Sequence, residues 1–124
     1  MMIEYSETNG FKKDFKKLSK KFKTLATDLD VAKKYVIELF HLNNIDNQSV
    51  VQVPGYANDF YQIYKLRKFA CKALKGRGSK SGIRIIYAYY VKISKVTFIE
   101  MYFKADQANA DTKRVKEFIK QQKI

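Results

Sequence analysis

The spacing of apolar residues changes once along this chain, and that change limits what it can fold into. Phe11, Phe15, Leu18, Phe22 and Leu25 recur at steps of four and three, which places all five on one face of a helix. Lys12, Lys13, Lys16, Lys17, Lys20 and Lys21 fall on the remaining surface, so this segment reads as an amphipathic helix and not as a charged tail. Thr8 or Asn9 is placed to cap it, and Met2 to Tyr5 can form a short strand ahead of it. Asp28 or Asp30 is placed to cap a second helix, where Leu29, Ala32, Val36, Leu39 and Phe40 repeat the pattern until Asn43 and Asn44 stop it. The turn between the two is short, which predicts an antiparallel pair.

After a connector from Asn43 to Asn58 that contains Asn47, Pro54 and Gly55, the pattern becomes that of strands. The connector has room for one brief extended piece at Val50 to Val53. Tyr61 to Ala70, Ile83 to Lys92 and Val96 to Lys104 are rich in β-branched and aromatic residues, and the last two read as a hairpin turning near Ser94 and Lys95. A closing helix is expected from Asp111 to Gln121, with Val115, Phe118 and Ile119 as its apolar face. The order predicts one α+β domain over residues 1–124: an N-terminal antiparallel helical hairpin on one face of a small, mainly antiparallel sheet, followed by a C-terminal helix.

Charge narrows the choice of partner. Lys and Arg total 25 against 12 Asp and Glu, a net charge of +13. No acid lies between Asp59 and Glu100, although that window holds Lys65, Arg67, Lys68, Lys72, Lys75, Arg77, Lys80, Arg84, Lys92 and Lys95. Such crowding costs the free protein stability and suits a polyanion or an acidic protein better than a neutral metabolite. One cysteine and one histidine exclude an internal disulfide and a zinc site of Cys/His type, so no metal or small-molecule cofactor is expected. The longest apolar run, Ile85 to Val91, is far too short to span a bilayer, and MMIEYSETNG has no signal-peptide character. A cytoplasmic protein that does not engage membranes is the expectation.

Side chains alternate across a strand, so Lys65 and Arg67 share one sheet face, opposite Tyr64 and Leu66. Likewise Arg84, Ile86, Ala88 and Tyr90 share a face, and in the last strand Glu100, Tyr102 and Lys104 oppose Ile99, Met101 and Phe103. One face therefore gathers Lys65, Arg67, Arg84, Glu100, Tyr102 and Lys104, and it stays open if the helices cover the other. Converging cations with an aromatic residue suit a phosphate backbone with stacked bases.

The order of elements, together with YKLR at Tyr64 to Arg67, SGIRIIY at Ser81 to Tyr87 and MYFKADQ at Met101 to Gln107, resembles the RelE/ParE superfamily of bacterial type II toxins. The opening FKKDFKKLSKKFKTLATDL is similar to the helical hairpin of RelE-like and HigB-like members. The resemblance spans nearly the whole chain and resides in the order and spacing of short motifs. It implies an mRNA interferase: an endoribonuclease that cuts translated messenger RNA on the ribosome, beside 16S rRNA, and is opposed by an acidic antitoxin protein. By correspondence, Lys65 and Arg67 are the paired strand cations, Arg84 the transition-state arginine and Lys104 the basic position after the final strand. RelE itself carries a near-terminal tyrosine in its site, whereas the tail DTKRVKEFIKQQKI has none, leaving Tyr102 as the available phenol.

Metal-independent RNA cleavage requires a deprotonated 2′-hydroxyl, a stabilised phosphorane and a protonated 5′-oxygen. Arg84 and Arg67 suit the second task, and Lys65 or Lys104 can serve as base or acid if neighbouring cations lower its pKa. Glu100 can act as base or simply neutralise its neighbours. Lys68, Lys72, Lys75, Arg77 and Lys80 are expected to bind RNA around this centre. Simpler readings compete elsewhere: His41 as a helix-terminal histidine, Cys71 as a small hydrophobe, the lysines of the first helix as a solvated face, and GRGSKSG as a flexible connection without the phosphate-loop pattern. Two functions of other classes also fit: a ParE-like toxin that binds gyrase or only its antitoxin without cutting, and a plain RNA-binding module.

Overall fold

Thr8 is where the first strand gives way to the first helix. Its backbone is extended, and its hydroxyl accepts the Phe11 N–H at 3.1 Å while donating to the Ile99 carbonyl at 3.1 Å. The cap thus fixes both the helix start and its position over the sheet. In the computed structural model, which describes residues 2–122, β1 (Glu4–Glu7) precedes α1 (Asn9–Lys21). The strand begins later than expected because pairing starts where the Glu4 N–H reaches the Ser94 carbonyl, at 2.9 Å.

The second helix departs from its expected start. α2 (Leu25–Ala32) begins right after the link at Phe22, with Thr24 at the cap position. Neither Asp28 nor Asp30 is the cap. Asp28 lies in the first turn, buried, and accepts the Thr24 hydroxyl at 2.6 Å and the Lys72 N–H at 3.2 Å. It thereby ties the helix to the loop after the third strand. A π-helical turn (Lys33–Ile37) then joins α2 to α3 (Glu38–Asn43), which ends at Asn44 in the left-handed conformation. The wide turn inserts an extra residue into the helical period. Ile37 consequently points fully inward, whereas Leu39, expected on the buried face, is half-buried.

The sheet has five strands in the order β1-β5-β4-β3-β2, formed by β2 (Val50–Gln52), β3 (Tyr61–Leu66), β4 (Ile83–Tyr90) and β5 (Lys95–Phe103). Only the β1–β5 pair is parallel; the others are antiparallel. β3 stops before the expected Ala70, because Arg67 bonds back to the Ser49 carbonyl and Phe69 forms only an isolated bridge with Lys80. β5 carries a bulge: Tyr87 faces Phe98 while Ile86 faces Glu100, so Ile99 is the extra residue. This breaks the expected alternation. Phe98 and Met101 pack with α1 and α2 on one face, whereas Ile99 packs on the other with Ile86, not opposite Glu100 as alternation predicted.

Both sheet faces bury apolar residues. Phe11, Leu18, Phe22, Leu25 and Ile37 fill one side against Leu66, Ile85, Tyr87 and Phe98. On the second side, Val115 and Phe118 of α4 (Thr112–Gln121) pack on Tyr61, Ile63, Ile86, Ala88 and Tyr102. The second face is therefore covered in part, a correction to the expectation that helices leave it open. Among the described residues, no helix is long and apolar enough to cross a membrane.

His41 lies in the last turn of α3, as expected of a helix-terminal histidine, and its ring sits in an aromatic cage. Its ring stacks on Tyr89 at 3.9 Å between centroids, and Nε2 lies 2.8 Å from the Tyr87 hydroxyl. Burial pushes its pKa down to about 4, so the unfolded chain binds the extra proton between that value and about 6.5. The resulting stability is complete above about pH 6.5 and is lost as pH falls toward 4, by about 3 kcal/mol from this group. Urea titrations of wild type should show this loss across that window, and His41→Gln, which cannot titrate, should flatten it.

Candidate nucleic-acid interface and active site

Strand register assembles the cations at one end of the second sheet face. Lys65 pairs with Ile86, Arg84 pairs with Tyr102, and the Lys104 N–H bonds to the Gly82 carbonyl at 2.8 Å. Gly82 has φ +85°, which a side chain tolerates poorly, and it packs beside the Phe103 ring. Lys65, Arg67, Arg84 and Lys104 converge here. The Lys65 ammonium is destabilised by partial burial and then by the charges of Arg84, Lys104 and Arg67, which together lower its pKa. Among the described residues, none of these four cations forms an ion pair with a carboxylate.

Two of the four are oriented by backbone. Arg67 Nε donates to the Gln48 carbonyl at 3.0 Å, and Arg84 Nη1 donates to the Arg67 carbonyl. Each guanidinium is held at one edge and keeps further N–H groups for a ligand. Such a pair can clamp the oxygens of one phosphate, with an ammonium on either flank.

Glu100 and Tyr102 belong to the same face but are not on its surface. The segment after β5 and helix α4 close over them, leaving Glu100 1% and Tyr102 3% exposed. Glu100 accepts the Asp111 N–H at 2.9 Å on one oxygen and the Gln107 side-chain amide at 2.8 Å on the other, with Arg114 Nη1 at 3.5 Å. Its carboxylate serves as the anchor of α4. The Tyr102 hydroxyl is buried with no hydrogen-bond partner among the described residues. Burial raises its pKa, and although the Arg84 charge opposes this, the net shift is upward.

The remaining cations all lie on the segment between β3 and β4. Lys72, Lys75, Arg77 and Lys80 are exposed on the β3–β4 loop, whose Gly76 and Gly78 take positive φ. The loop is fastened at its start by Asp28 and at its end by Ser81, whose hydroxyl donates to the Phe69 carbonyl and accepts the Ile83 N–H. Lys68 instead lines a groove of about 420 Å³ on the helical side, beside Asp28, Tyr35 and Val36. Cys71 is buried, and burial is the main cause of its raised pKa. Among the described residues, no cluster of three or more His, Cys, Asp or Glu side chains could hold a metal ion.

Sequence reasoning missed Arg114 and Asp14. Arg114 grips Asp14 of α1 in a bidentate pair at 2.7 and 3.2 Å, while its Nη2 also donates to the Ile99 carbonyl at 3.1 Å. Gly10 leaves the room this guanidinium needs, since a Cβ there would lie 2.6 Å from Nη2. One signal was present: Asp14 is the sole acid between Glu7 and Asp28.

No protein-family model matches the chain, and no curated protein matches it. Among solved structures, the crystal structure of an archaeal RelE–RelB complex from Pyrococcus horikoshii OT3 aligns with 84% of this chain and 97% of its own, at 12% identity and a TM-score of 0.49. At that level of similarity no residue role passes from one to the other.

Arg114→Met should strand the buried Glu100 carboxylate and destabilise the fold by about 3 kcal/mol, read as a lower urea midpoint. Adding Glu100→Gln should recover part of that loss, giving a positive coupling in the double-mutant cycle.

Proposed function

We propose that this chain is a type II toxin of RelE/ParE character: a metal-independent endoribonuclease that cuts translated messenger RNA on the ribosome in the cytoplasm and is restrained by an acidic antitoxin. The observation that carries this reading is the quartet Lys65, Arg67, Arg84 and Lys104. Its charges converge without acidic partners among the described residues, and partial burial followed by those charges lowers the Lys65 pKa. Mutual repulsion of this kind is relieved by an anion that enters the cluster.

The chemistry follows from the residue types. The Lys65 amine takes the 2′-hydroxyl proton, and the 2′-oxygen attacks the adjacent phosphorus. Arg84 and Arg67 stabilise the added negative charge of the phosphorane. The bond to the 5′-oxygen breaks as the Lys104 ammonium gives that oxygen a proton. The products are a 2′,3′-cyclic phosphate and a 5′-hydroxyl. Glu100, with both oxygens occupied, neutralises and anchors, and takes no proton in this scheme. The exposed cations of the β3–β4 loop, Lys72, Lys75, Arg77 and Lys80, lie on the chain directly before Arg84 and provide phosphate contacts; Lys68 provides one from the helical side.

One observation favours a second reading. With Glu100 and Tyr102 sealed, no carboxylate or phenol of the expected set reaches the surface. A ParE-like protein that binds gyrase or its antitoxin without cutting would need neither.

Expression of the chain alone should arrest bacterial growth and leave cut messages, visible by primer extension. Arg84→Ala should cut the rate by about 100-fold or more with the fold intact by circular dichroism. Intact messages with inhibited supercoiling would favour the gyrase reading, and harmless expression would remove the toxin reading. With purified protein added to translating ribosomes, the cleavage rate should rise with pH while Lys65 loses its proton and level off below its ordinary 10.5. Lys65→Arg should abolish that rise.

A further inference from the structure

Strand register sets the Lys65 amine beside two guanidinium groups. Lys65 and Arg84 are diagonal neighbours on one sheet face, because Lys65 pairs with Ile86 and Arg84 lies two residues before it. The same register, carried one step past Leu66 and Ile85, places Arg67 opposite Arg84, whose Nη1 donates to the Arg67 carbonyl. Lys104 stands on the other flank of Arg84, since Arg84 pairs with Tyr102 and the Lys104 N–H bonds to the Gly82 carbonyl.

Among the described residues, no carboxylate pairs with Lys65. Glu100, the other partner of Ile86 in register, has its oxygens committed to the Asp111 N–H and the Gln107 amide. Partial burial first, and then the charges of Arg84, Lys104 and Arg67, lower the Lys65 pKa, so more of this amine is unprotonated than of an ordinary lysine. An amine freed of its proton by neighbouring cations is a nucleophile. The arginines add a second property. Each is tethered at one edge and keeps N–H groups that fit the oxygens of a phosphate dianion.

We propose that Lys65 is an acylation site for small acyl phosphates, whose phosphate is held by Arg67 and Arg84 while the adjoining acyl carbon meets the Lys65 amine. The Lys65 nitrogen attacks that carbon and forms the amide bond. The bond from carbon to the bridging oxygen breaks with its electron pair leaving on phosphate, and the departing phosphate takes the proton that the nitrogen sheds. An amide and hydrogen phosphate result. Distance selects this class of donor. In an acyl phosphate the reactive carbon is separated from phosphorus by a single oxygen, so the clamp that holds the phosphate also delivers the carbon. A thioester carrier whose phosphates lie far from its acyl group gains nothing from the same clamp. Acylation removes both the charge and the basicity of the amine. Under the nuclease reading, on which this consequence alone rests, the modified chain no longer cuts.

The test incubates the full chain with acetyl phosphate and follows each lysine by peptide mass spectrometry. Lys65 should be acetylated about tenfold faster, or more, than exposed lysines of α1 such as Lys13 and Lys17. Inorganic phosphate should slow the reaction at Lys65 and leave the α1 lysines unaffected. In Arg84→Ala, folded by circular dichroism, the Lys65 rate should fall further with acetyl phosphate than with acetic anhydride, which has no phosphate for the clamp to hold. Lys65 modified no faster than the α1 lysines overturns the proposal. So does a lack of protection by phosphate on wild type, or an equal loss with the two reagents in the variant. On translating ribosomes, message cutting should decline in step with the acetylated fraction at Lys65. A wild type that cuts no RNA yet takes the acetyl group at Lys65 in this selective way upholds the site and removes the nuclease reading.

Discussion

The Glu100–Arg114–Asp14 cluster is the contact on which the arrangement of the whole second sheet face depends. A carboxylate on a central strand is costly to bury unless it is fully paired. Here the bulge at Ile99 turns that cost into a fastening. It presents Glu100 toward the Asp111 N–H at the start of α4 and toward Arg114 within it, and Arg114 passes the connection to Asp14 on α1. Three elements distant in sequence are locked by one guanidinium. The start of α4 is thereby fixed over the sheet.

The result is a face of two halves. Toward Tyr61 and Ala88 it is apolar and roofed by Val115 and Phe118; toward Arg84 and Lys104 it is charged. The boundary runs between Glu100 and Lys65, both paired with Ile86 from opposite sides. A cation beside an apolar roof is partly desolvated, and partial burial is the leading cause of the lowered Lys65 pKa. The packing that stabilises the domain thereby tunes the group proposed as base.

The fold was legible where local chemistry decides it. The apolar spacing from Phe11 to Leu18, the alternation in β4 and a cap at Thr8, one of two candidates, all act within a few residues and appear as the sequence implies, whereas the expected single helix from Phe11 to Leu25 breaks at Phe22 and Leu25 opens α2. What the sequence hid depends on contacts between distant segments. The π-helical turn obeys no pattern visible in KKYVI, and the bulge in β5 is set by the pairing with β4. Glu100 illustrates the limit for the site. Alternation assigned its face correctly, but only the docking of α4 determines whether a residue on that face meets solvent. Lys65, Arg67, Arg84 and Lys104 were legible together because they lie at strand ends, beyond the helix's reach.

The wide helical turn at Lys33–Ile37 has a consequence for how this chain can vary. It accommodates one more residue than a regular helix would, and the surplus is absorbed by that single loop of backbone. Removing one amino acid there would restore ordinary winding and, because the wide turn takes up the surplus locally, leave His41 among its aromatic neighbours. Related sequences should therefore tolerate a difference of one residue in the length of this stretch.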